Sequence, residues 1–205
     1  GTAYSGQRVL VTGASGFLGS HLVRRLVEAG AEAHCVSRVP QPPAAGTQWW
    51  ETDFCSREGI RRLVSEVQPA YVFHLGGHVT ASPGVEHVAP TFTTLLGSTV
   101  WMLEAAVGAS ISRVVLVGSA SEATLTGDDA VPASPYVVAK WAGSAYGRMF
   151  HALYGLPVVN ARPVMVYGPG QPRGKLLPSV ISAMLRGEQP RLSSGRLAAD
   201  WVYVD

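Results

Sequence analysis

Tyr136 and Lys140 lie four positions apart in the stretch Tyr-Val-Val-Ala-Lys. Residues four apart share one face of a helix, so the phenol and the ammonium group would point the same way. A neighbouring cation favours the phenolate, and we expect it to lower the pKa of Tyr136 towards the range of acid–base catalysis. The alternative is an ordinary exposed aromatic–cation pair without a catalytic role.

Ser119 offers a hydroxyl at the end of a predicted strand over residues 113–118. In open α/β folds, ligands bind beyond the carboxyl ends of the strands. From there the hydroxyl can hold a substrate oxygen close to the Tyr136 phenol. Ser121 has similar chemistry, but the position at the strand end favours Ser119. A simple strand-ending cap is the alternative for either serine.

A turn that could bind phosphate follows the apolar strand pattern of residues 8–12 and opens a helical pattern over 16–29. Glycines in such a turn let backbone N–H groups approach a pyrophosphate, and the helix N-terminus adds its positive dipole. The alternative is a glycine-rich turn without a ligand. The residues predicted to bind a dinucleotide here are Gly13, Ser15, Gly16, Phe17, Leu18 and Gly19.

The end of the second predicted strand, residues 32–37, bears on which dinucleotide binds. Enzymes that bind NAD at a strand–turn–helix unit of this kind usually carry an acidic residue at the end of the second strand, which accepts hydrogen bonds from the ribose 2′-hydroxyl. This chain has Ser37 and Arg38 instead. A hydroxyl and a guanidinium can bind a 2′-phosphate, so NADP is favoured over NAD. The alternative is NAD held through backbone contacts, with Arg38 as a solvated loop cation.

Short apolar strands alternate with helical patterns along the chain and must position these residues. Several strands, such as residues 113–118, are unbroken apolar runs, which suit a parallel sheet buried on both faces. The alternation therefore predicts a doubly wound α/β sheet. The predicted strands are 8–12, 32–37, 48–51, 70–75, 113–118, 157–162 and 201–204. The predicted helices are 16–29, 56–67, 90–107, 135–154 and 175–186.

Composition narrows the class of protein. With 205 residues, of which 47% are hydrophobic and 15% charged, the chain can bury a substantial core. A formal charge of +2 without a Lys/Arg run argues against a nucleic-acid partner, and no apolar stretch has the length of a membrane span. Two isolated cysteines and the lack of a signal-peptide pattern predict a reducing, cytoplasmic location.

Taken together, these motifs resemble the extended short-chain dehydrogenases/reductases, in the group of nucleotide-sugar epimerases, dehydratases and ketoreductases. The resemblance rests on the glycine turn, on Ser119, Tyr136 and Lys140, and on residues 162–170. It implies a Rossmann-type sheet with a small, incomplete C-terminal substrate lobe. We expect a dinucleotide-binding domain over 1–167, part of a substrate lobe over 168–200, and a returning strand at 201–205. Family chains continue past that strand, so this chain looks truncated.

The resemblance also implies roles for individual residues. Tyr136 transfers the proton, Lys140 holds the nicotinamide ribose, and Ser119 orients the reacting C–O group. The further cofactor contacts that it implies are Asp53 and Phe54 at the adenine, Leu75, Gly76 and Gly77 along the cofactor, and Pro163 and Val166 at the nicotinamide carboxamide.

The implied function is NADP- or NAD-dependent chemistry on a nucleotide-linked sugar, as a ketoreductase or as an epimerase through a keto intermediate. Dehydratases of this group carry an Asp-Glu pair where this chain has Ala120 and Ser121, and Glu122 fits only in a shifted register, so a dehydratase is disfavoured. Compared with the segment that usually follows the serine in this family, residues 120–127 look altered or shortened. The alternatives are a reductase of a non-sugar ketone or aldehyde, and a catalytically silent cofactor-binding sensor or scaffold.

Two predicted helices, 90–107 and 135–154, carry apolar residues beyond those that one core face requires. Family members commonly pair through the equivalent helices, so the resemblance implies a homodimer with an isologous four-helix contact. Burial of the same residues in the core is the alternative. The residues concerned are Val100, Leu103, Val107, Val138, Met149 and Leu153.

Overall fold

The computed structural model describes residues 2–53, 55–125, 127, 129–190, 192 and 198–205. The chain divides into two compact units, Gly1–Arg162 and Pro163–Asp205. The predicted division between residues 167 and 168, separating a dinucleotide-binding domain from a substrate lobe, stays a prediction. Phe54, implied above to contact the adenine, lies outside the described residues.

A six-stranded sheet forms the centre of the first unit. Its strands are β1 (Arg8–Thr12), β2 (Glu32–Ser37), β3 (Thr47–Glu51), β4 (Tyr71–His74), β5 (Arg113–Val117) and β6 (Val158–Ala161). Every neighbouring pair is parallel, and the order across the sheet is β3-β2-β1-β4-β5-β6. The predicted doubly wound fold is confirmed. The order reverses between β1 and β4, which is where such folds open a crevice for ligands.

Helices connect the strands of the first unit. They are α1 (Phe17–Glu28), α2 (Arg57–Val67), α3 (Val88–Thr91), α4 (Ser98–Ala106) and α5 (Pro135–Tyr154), with 3₁₀ turns at Val85–His87 and Ala120–Thr124. The bounds of α5 match the prediction because both ends carry strong signals. The Ser134 hydroxyl accepts from the N–H of Val137, and Gly155 ends the helix at φ +67°.

The side chains of β1 show how the sheet is covered on both faces. Val9 and Val11 pack with Val23 of α1, whereas Leu10 packs in a second cluster with Ile60 of α2. The three β1 side chains are fully buried, and each such burial contributes about 1.5–3 kcal/mol. Burial on both faces explains the unbroken apolar run in the sequence.

The helix predicted over residues 90–107 is not regular. Between α3 and α4 the chain forms a π-helical segment, Phe92–Gly97. Side-chain hydroxyls here donate to carbonyl oxygens four residues back, Thr94 to Pro90 at 2.7 Å and Ser98 to Thr94 at 2.6 Å. Such back-bonding distorts helices, and an apolar pattern does not reveal it. The prediction of one regular helix was wrong at this segment.

Only some of the apolar side chains predicted to form a dimer surface are exposed. Leu103 of α4 is fully buried, and Met149 of α5 packs against the core. The prediction that these two side chains are in excess of the core was therefore wrong. Val107, Val138 and Leu153 are exposed, to 43%, 42% and 67% respectively.

The second unit contains a pair of parallel strands, β7 (Met165–Tyr167) and β8 (Trp201–Tyr203), and the helix α6 (Leu176–Leu185). Met165 pairs with Trp201 in this register. The sequence predicted β8 but not β7. Across the described ranges of the chain, no helix is long and apolar enough to cross a membrane.

Candidate active site

The turn between β1 and α1 has no room for side chains at two of its glycines. Gly13 has φ +67°, and a Cβ there would lie 2.9 Å from the backbone nitrogen of Gly76, just after β4. A Cβ on Gly19 would collide with the Gly13 carbonyl oxygen. The close approach of turn, helix and strand therefore requires glycine at both positions.

The first turn of α1 suits an anion. Gly16 precedes the helix without a side-chain cap, and no acidic residue lies in the first turn. The N–H groups at a helix N-terminus attract phosphate. Ser15 is exposed beside them, and Phe17 and Leu18 are half-buried. The residues predicted for a dinucleotide pyrophosphate therefore fit that group in shape and charge.

A buried hydrogen-bond network holds the end of β4 against this turn. The Thr12 hydroxyl oxygen accepts from the N–H groups of Leu75 and Gly76 at 3.1 and 3.0 Å. It lies 2.9 Å from His74 Nδ1, while His74 Nε2 lies 3.2 Å from the Ser98 hydroxyl. The network fixes the backbone of residues 75–76, which are predicted to run along the cofactor.

The directions of these hydrogen bonds assign the tautomer of His74. Ser98 donates its proton to the Thr94 carbonyl oxygen at 2.6 Å, so its oxygen accepts from His74 Nε2–H. His74 Nδ1 is then unprotonated and accepts from the Thr12 hydroxyl. Burial, with a smaller effect from Lys140, lowers the pKa of His74 to about 3, which keeps the ring neutral.

Ser119, Ser121 and Tyr136 meet beyond the end of β5. The Ser119 side chain hydrogen-bonds the Tyr136 phenol. Its hydroxyl oxygen also lies 2.7 Å from the Ser121 hydroxyl and accepts from the Ser121 N–H at 3.3 Å. The strand-end position that favoured Ser119 in the sequence thus brings its hydroxyl to the phenol.

Lys140 lies one turn after Tyr136 on α5, with Nζ 5.9 Å from the centre of the tyrosine ring. Its ammonium group donates to the Val117 carbonyl oxygen at 2.6 Å. The two side chains therefore lie on the same side of the helix, as their spacing predicts. Burial lowers the pKa of Lys140 to about 8, and the negative charge of Glu122 opposes this shift.

The pKa of Tyr136 moves opposite to our expectation. We expected Lys140 to lower it, but burial raises it, and the Glu122 charge acts in the same direction. The hydrogen bond from Ser119 is the influence that lowers it. The prediction was wrong because it counted the lysine charge and not the withdrawal of the phenol from water.

Glu122 is a buried acid at the centre of this group. Its Oε1 accepts from the Ser119 N–H at 2.7 Å, and its Oε2 accepts from Arg162 Nε at 3.0 Å. The Glu122 side chain is 0% exposed and that of Arg162 is 42% exposed. Serine followed three residues later by glutamate is the sequence signature of a capping box, and that signal could have revealed this contact.

Three other predicted cofactor residues lie where β2 and β3 end. Ser37 is buried, and its hydroxyl oxygen accepts from the Val39 N–H at 3.3 Å. Arg38 follows it and is exposed. Asp53 accepts from the Cys55 N–H through Oδ1 at 2.9 Å. These residues share the carboxyl edge of the sheet with the glycine turn, because the strands are parallel.

Gly77 and two residues of the second unit complete the predicted cofactor set. Gly77 has φ +142°, and a Cβ there would collide with Leu95. Pro163 precedes β7, and Val166 lies within it in register with Val202. The contacts of Pro163 and Val166 with the nicotinamide carboxamide stay predictions.

The structure brings the predicted residues into two groups in the first unit, the glycine turn with residues 75–76, and Ser119 with Tyr136 and Lys140. Sequence reasoning missed the polar residues that support these groups, namely the buried Thr12, Ser98 and Glu122 and the more exposed Arg162. Among the described residues, no group of three or more His, Cys, Asp or Glu could hold a metal ion.

Comparison with known proteins identifies similar chains. The model of a family described as the NAD dependent epimerase/dehydratase family matches residues 9–205. The UDP-glucose 4-epimerase of Mycolicibacterium smegmatis is 31% identical, over 97% of this chain and 70% of its own length. A probable dTDP-glucose 4,6-dehydratase of Sinorhizobium fredii is 29% identical, over 97% of this chain and 65% of its own length.

Solved structures give the same picture. MoeE5, in complex with UDP-glucuronic acid and NAD, superposes with a TM-score of 0.84 at 31% identity. The match covers 96% of this chain and 68% of MoeE5. The chain thus spans about two thirds of the length of the proteins it matches.

Proposed function

This chain belongs to the NAD-dependent epimerase/dehydratase family, and from that premise we propose that it acts on a nucleotide-linked sugar. The reaction is that of a ketoreductase, or of an epimerase that passes through a keto intermediate. The observation that carries the proposal is the placement of Tyr136 and Lys140 on one side of α5, with Nζ 5.9 Å from the centre of the tyrosine ring. Ser119 lies at the end of β5, and a hydrogen bond from its side chain lowers the pKa of Tyr136 against the effect of burial.

The cofactor, when bound, accepts and returns hydride at its nicotinamide ring. Tyr136 takes the proton from the sugar hydroxyl as the carbonyl forms, and returns a proton when the carbonyl is reduced. Ser119 donates a hydrogen bond that orients the reacting oxygen. Lys140 holds the nicotinamide ribose and supplies positive charge beside the phenol. The residues predicted for the pyrophosphate are those of the turn before α1.

Glu122 supports the choice of ketoreductase or epimerase over dehydratase. Elimination of water requires a carboxyl group that can reach the sugar as acid or base. Both oxygens of Glu122 already accept hydrogen bonds, one from the Ser119 N–H and one from Arg162. Ala120 and Ser121 contribute no acid at the neighbouring positions.

The test is turnover of nucleotide sugars by the purified protein. UDP-glucose, UDP-glucuronic acid and dTDP-glucose, and their 4-keto derivatives, are incubated with NAD or NADPH, and the products are separated by chromatography with mass detection. An epimerase gives an isomer of the same mass without net consumption of the cofactor. A ketoreductase consumes one NADPH for each keto sugar. Turnover of simple ketones or aldehydes alone, or cofactor binding without any turnover, would overturn the proposal.

We further propose NADP as the preferred cofactor. The support is local: β2 ends at Ser37 and Arg38 follows it, with no carboxylate at that position to repel a 2′-phosphate. MoeE5 is in complex with NAD, which makes NAD the natural competitor in the test. Calorimetric titration of both cofactors into the wild type and into Arg38→Ala distinguishes them, with Arg61→Ala on α2 as a control for loss of an exposed arginine.

The expected result is tighter binding of NADP than of NAD, and a loss of about tenfold in NADP affinity in Arg38→Ala alone. NAD binding as tight as that of NADP, with neither affinity changed by Arg38→Ala, would overturn the preference for NADP.

We propose a homodimer that pairs through α4 and α5. Support comes from exposed apolar side chains on the π-helical segment, directly after α4 and on α5, namely Phe92, Val107, Val138, Trp141 and Leu153. An isologous contact would cover this patch. Light scattering at micromolar concentration should give the mass of two chains for the wild type and for Val131→Glu, and of one chain for Val138→Glu. A monomeric wild type contradicts the proposal.

We also place the enzyme in the cytoplasm and assign residues 168–200 to a substrate lobe. The support for the compartment is that Cys35 and Cys55 are both free thiols. Fractionation of source cells, with immunodetection of the protein, tests the location. Hydrogen exchange with and without the nucleotide sugar tests the lobe, because protection should appear within 168–200.

A further inference from the structure

Glu122 ties together the ends of two neighbouring strands. It follows β5 in a 3₁₀ turn, and it accepts from the Ser119 N–H on one oxygen and from Arg162, after β6, on the other. The carboxylate therefore spans from the loop that carries the hydroxyl to the next strand of the sheet. A buried carboxylate with charge-assisted bonds on both oxygens has a well-defined position.

The same carboxylate is the acidic group that acts on the proposed proton-transfer residues. Among the described residues, the ionisable groups that act on Lys140 or Glu122 are few. Tyr136 shares α5 with Lys140, His74 lies at the end of β4 and is neutral, and Arg162 follows β6. Both charged groups are held at the end of β5, because Lys140 Nζ donates to the Val117 carbonyl oxygen at 2.6 Å and Glu122 Oε1 accepts from the N–H of Ser119, two residues further on. Burial lowers the pKa of Lys140, and the negative charge of Glu122 opposes this.

We propose that Glu122 is a positioning residue, which fixes Ser119 through its N–H and holds a buried negative charge near the Lys140 ammonium group at the end of β5. This inference rests on the proposed function for its importance to the reaction, because it is Lys140 as a cation that assists Tyr136. Glu122 itself does not contact the substrate. Its role is distinct from that of a general acid or base on the sugar.

The experiment is a direct titration of the lysines. Lys140 and Lys175 are the two lysines of the printed sequence, so the protein labelled with carbon-13 at lysine Cε gives two assignable signals by NMR. Glu122→Gln keeps an acceptor oxygen for the Ser119 N–H and removes the charge. We expect the titration midpoint of Lys140 to fall by about one pH unit, the usual size for loss of a nearby opposite charge, while Lys175 stays unchanged.

The matched control is Glu104→Gln, which removes an exposed acid that pairs with Arg57 between α4 and α2. It should leave both lysine signals as they are in the wild type. An unchanged Lys140 midpoint in a folded Glu122→Gln protein would overturn the inference. If Glu122→Gln loses cooperative unfolding, the double variant Glu122→Met/Arg162→Met replaces the buried pair with apolar side chains, a change that proteins often tolerate. The Lys140 midpoint of the double variant is compared with that of Arg162→Met, so that only the Glu122 charge differs between the two, and equal midpoints would overturn the inference.

The titration requires neither substrate nor turnover, so its failure differs from failure of the proposed function. If nucleotide sugars are turned over, the alkaline limb of the kcat/KM profile should move to lower pH in Glu122→Gln by the same amount as the NMR midpoint. A merely structural role would lower the rate at every pH without moving that limb.

Discussion

The glycine turn after β1 and the segment between β5 and α5 lie at the same edge of one parallel sheet, but they are built in opposite ways. The first, which we call the glycine half, comprises residues 12–19 and 75–76. Its close packing depends on glycines, which have no side chain. The second, the ionic half, comprises Ser119, Glu122, Tyr136, Lys140 and Arg162. It depends on polar side chains, of which Glu122, Tyr136 and Lys140 are partly or fully withdrawn from water.

This difference separates binding from chemistry. The glycine half presents backbone N–H groups and a helix dipole, which have no pKa near neutrality and can only hold an anion. The ionic half contains groups whose charges shift with burial and with each other. In the ionic half, an isosteric substitution of Tyr136 should therefore leave cofactor binding nearly unchanged but severely slow the reaction, whereas loss of Lys140, which holds the nicotinamide ribose, should damage both. In the glycine half, adding a side chain to a glycine should severely weaken cofactor binding and reduce stability.

The strongest test of this separation is Tyr136→Phe, which removes one oxygen from the ionic half. Turnover should fall by about 10²–10⁴-fold, the usual contribution of a positioned acid–base group. Cofactor affinity, measured by calorimetry, should stay within a few-fold of the wild type. Tyr146→Phe, farther along α5, is the matched control and should retain activity. A parallel loss of affinity and rate would show that the two halves are not separable.

Gly19→Ala adds one carbon to the glycine half. Because the new Cβ meets the Gly13 carbonyl oxygen, the turn must move, and we expect a loss of about 1–3 kcal/mol in the free energy of unfolding together with weakened cofactor binding. Gly174→Ala is the control, since a Cβ there meets nothing within 4 Å. Urea unfolding and calorimetry measure both effects. Wild-type stability and affinity in Gly19→Ala would contradict the geometry of the turn.

Lys140→Met tests how much the buried positive charge of Lys140 lowers the free energy of unfolding. The pKa of Lys140 falls from 10.5 to about 8 on folding, so the folded chain binds fewer protons between these values and stability rises with pH across that window. Below pH 8 the variant should exceed the wild type by about 1–3 kcal/mol in the free energy of unfolding. The gain should shrink towards pH 10, and activity should be lost.

The control for this substitution is Lys175→Met, at an exposed position. It should change the free energy of unfolding by less than about 0.5 kcal/mol at every pH. If Lys140→Met is less stable than the wild type at pH 7, burial of the ammonium group is not the dominant effect.

Thr12→Val has the smallest expected effect, and it tests whether the Thr12 hydroxyl orders residues 75–76 of the glycine half. The substitution keeps the side-chain shape but leaves the N–H groups of Leu75 and Gly76 without their acceptor hydroxyl. We expect a loss of about 1–2 kcal/mol in stability and faster amide exchange at residues 75–76. Thr47→Val, at the start of β3, is the control. Unchanged exchange at 75–76 would show that the hydroxyl does not order this segment.

The sequence predicted most of the strands and helices because each combined an apolar pattern with a clear start or stop signal. The parallel sheet could be predicted because a strand such as β1 is apolar on both faces. The family resemblance is also confirmed by the match over residues 9–205. The π-helical segment could not be predicted, since it arises from hydroxyl-to-carbonyl bonds that leave no periodic pattern.

The candidate site was predictable where it depends on spacing and not where it depends on three-dimensional contacts. The spacing of Tyr136 and Lys140 fixes their shared helix side, and glycine spacing fixes the turn. The pKa of Tyr136 was wrongly predicted because the five-residue stretch 136–140 does not show that the phenol is buried. The partners Thr12 and His74 are 62 residues apart, so only the fold brings them together.

That long separation also has a kinetic meaning. Parallel neighbours cannot be joined by a tight hairpin, so each pairing in the six-stranded sheet waits for a crossover to close. Topologies dominated by such distant pairings fold slowly. During synthesis at about 5–20 residues per second, β4 follows β1 by roughly 3–12 s, and Tyr136 emerges several seconds later. The nascent chain can therefore assemble the glycine half while the ionic half is still untranslated.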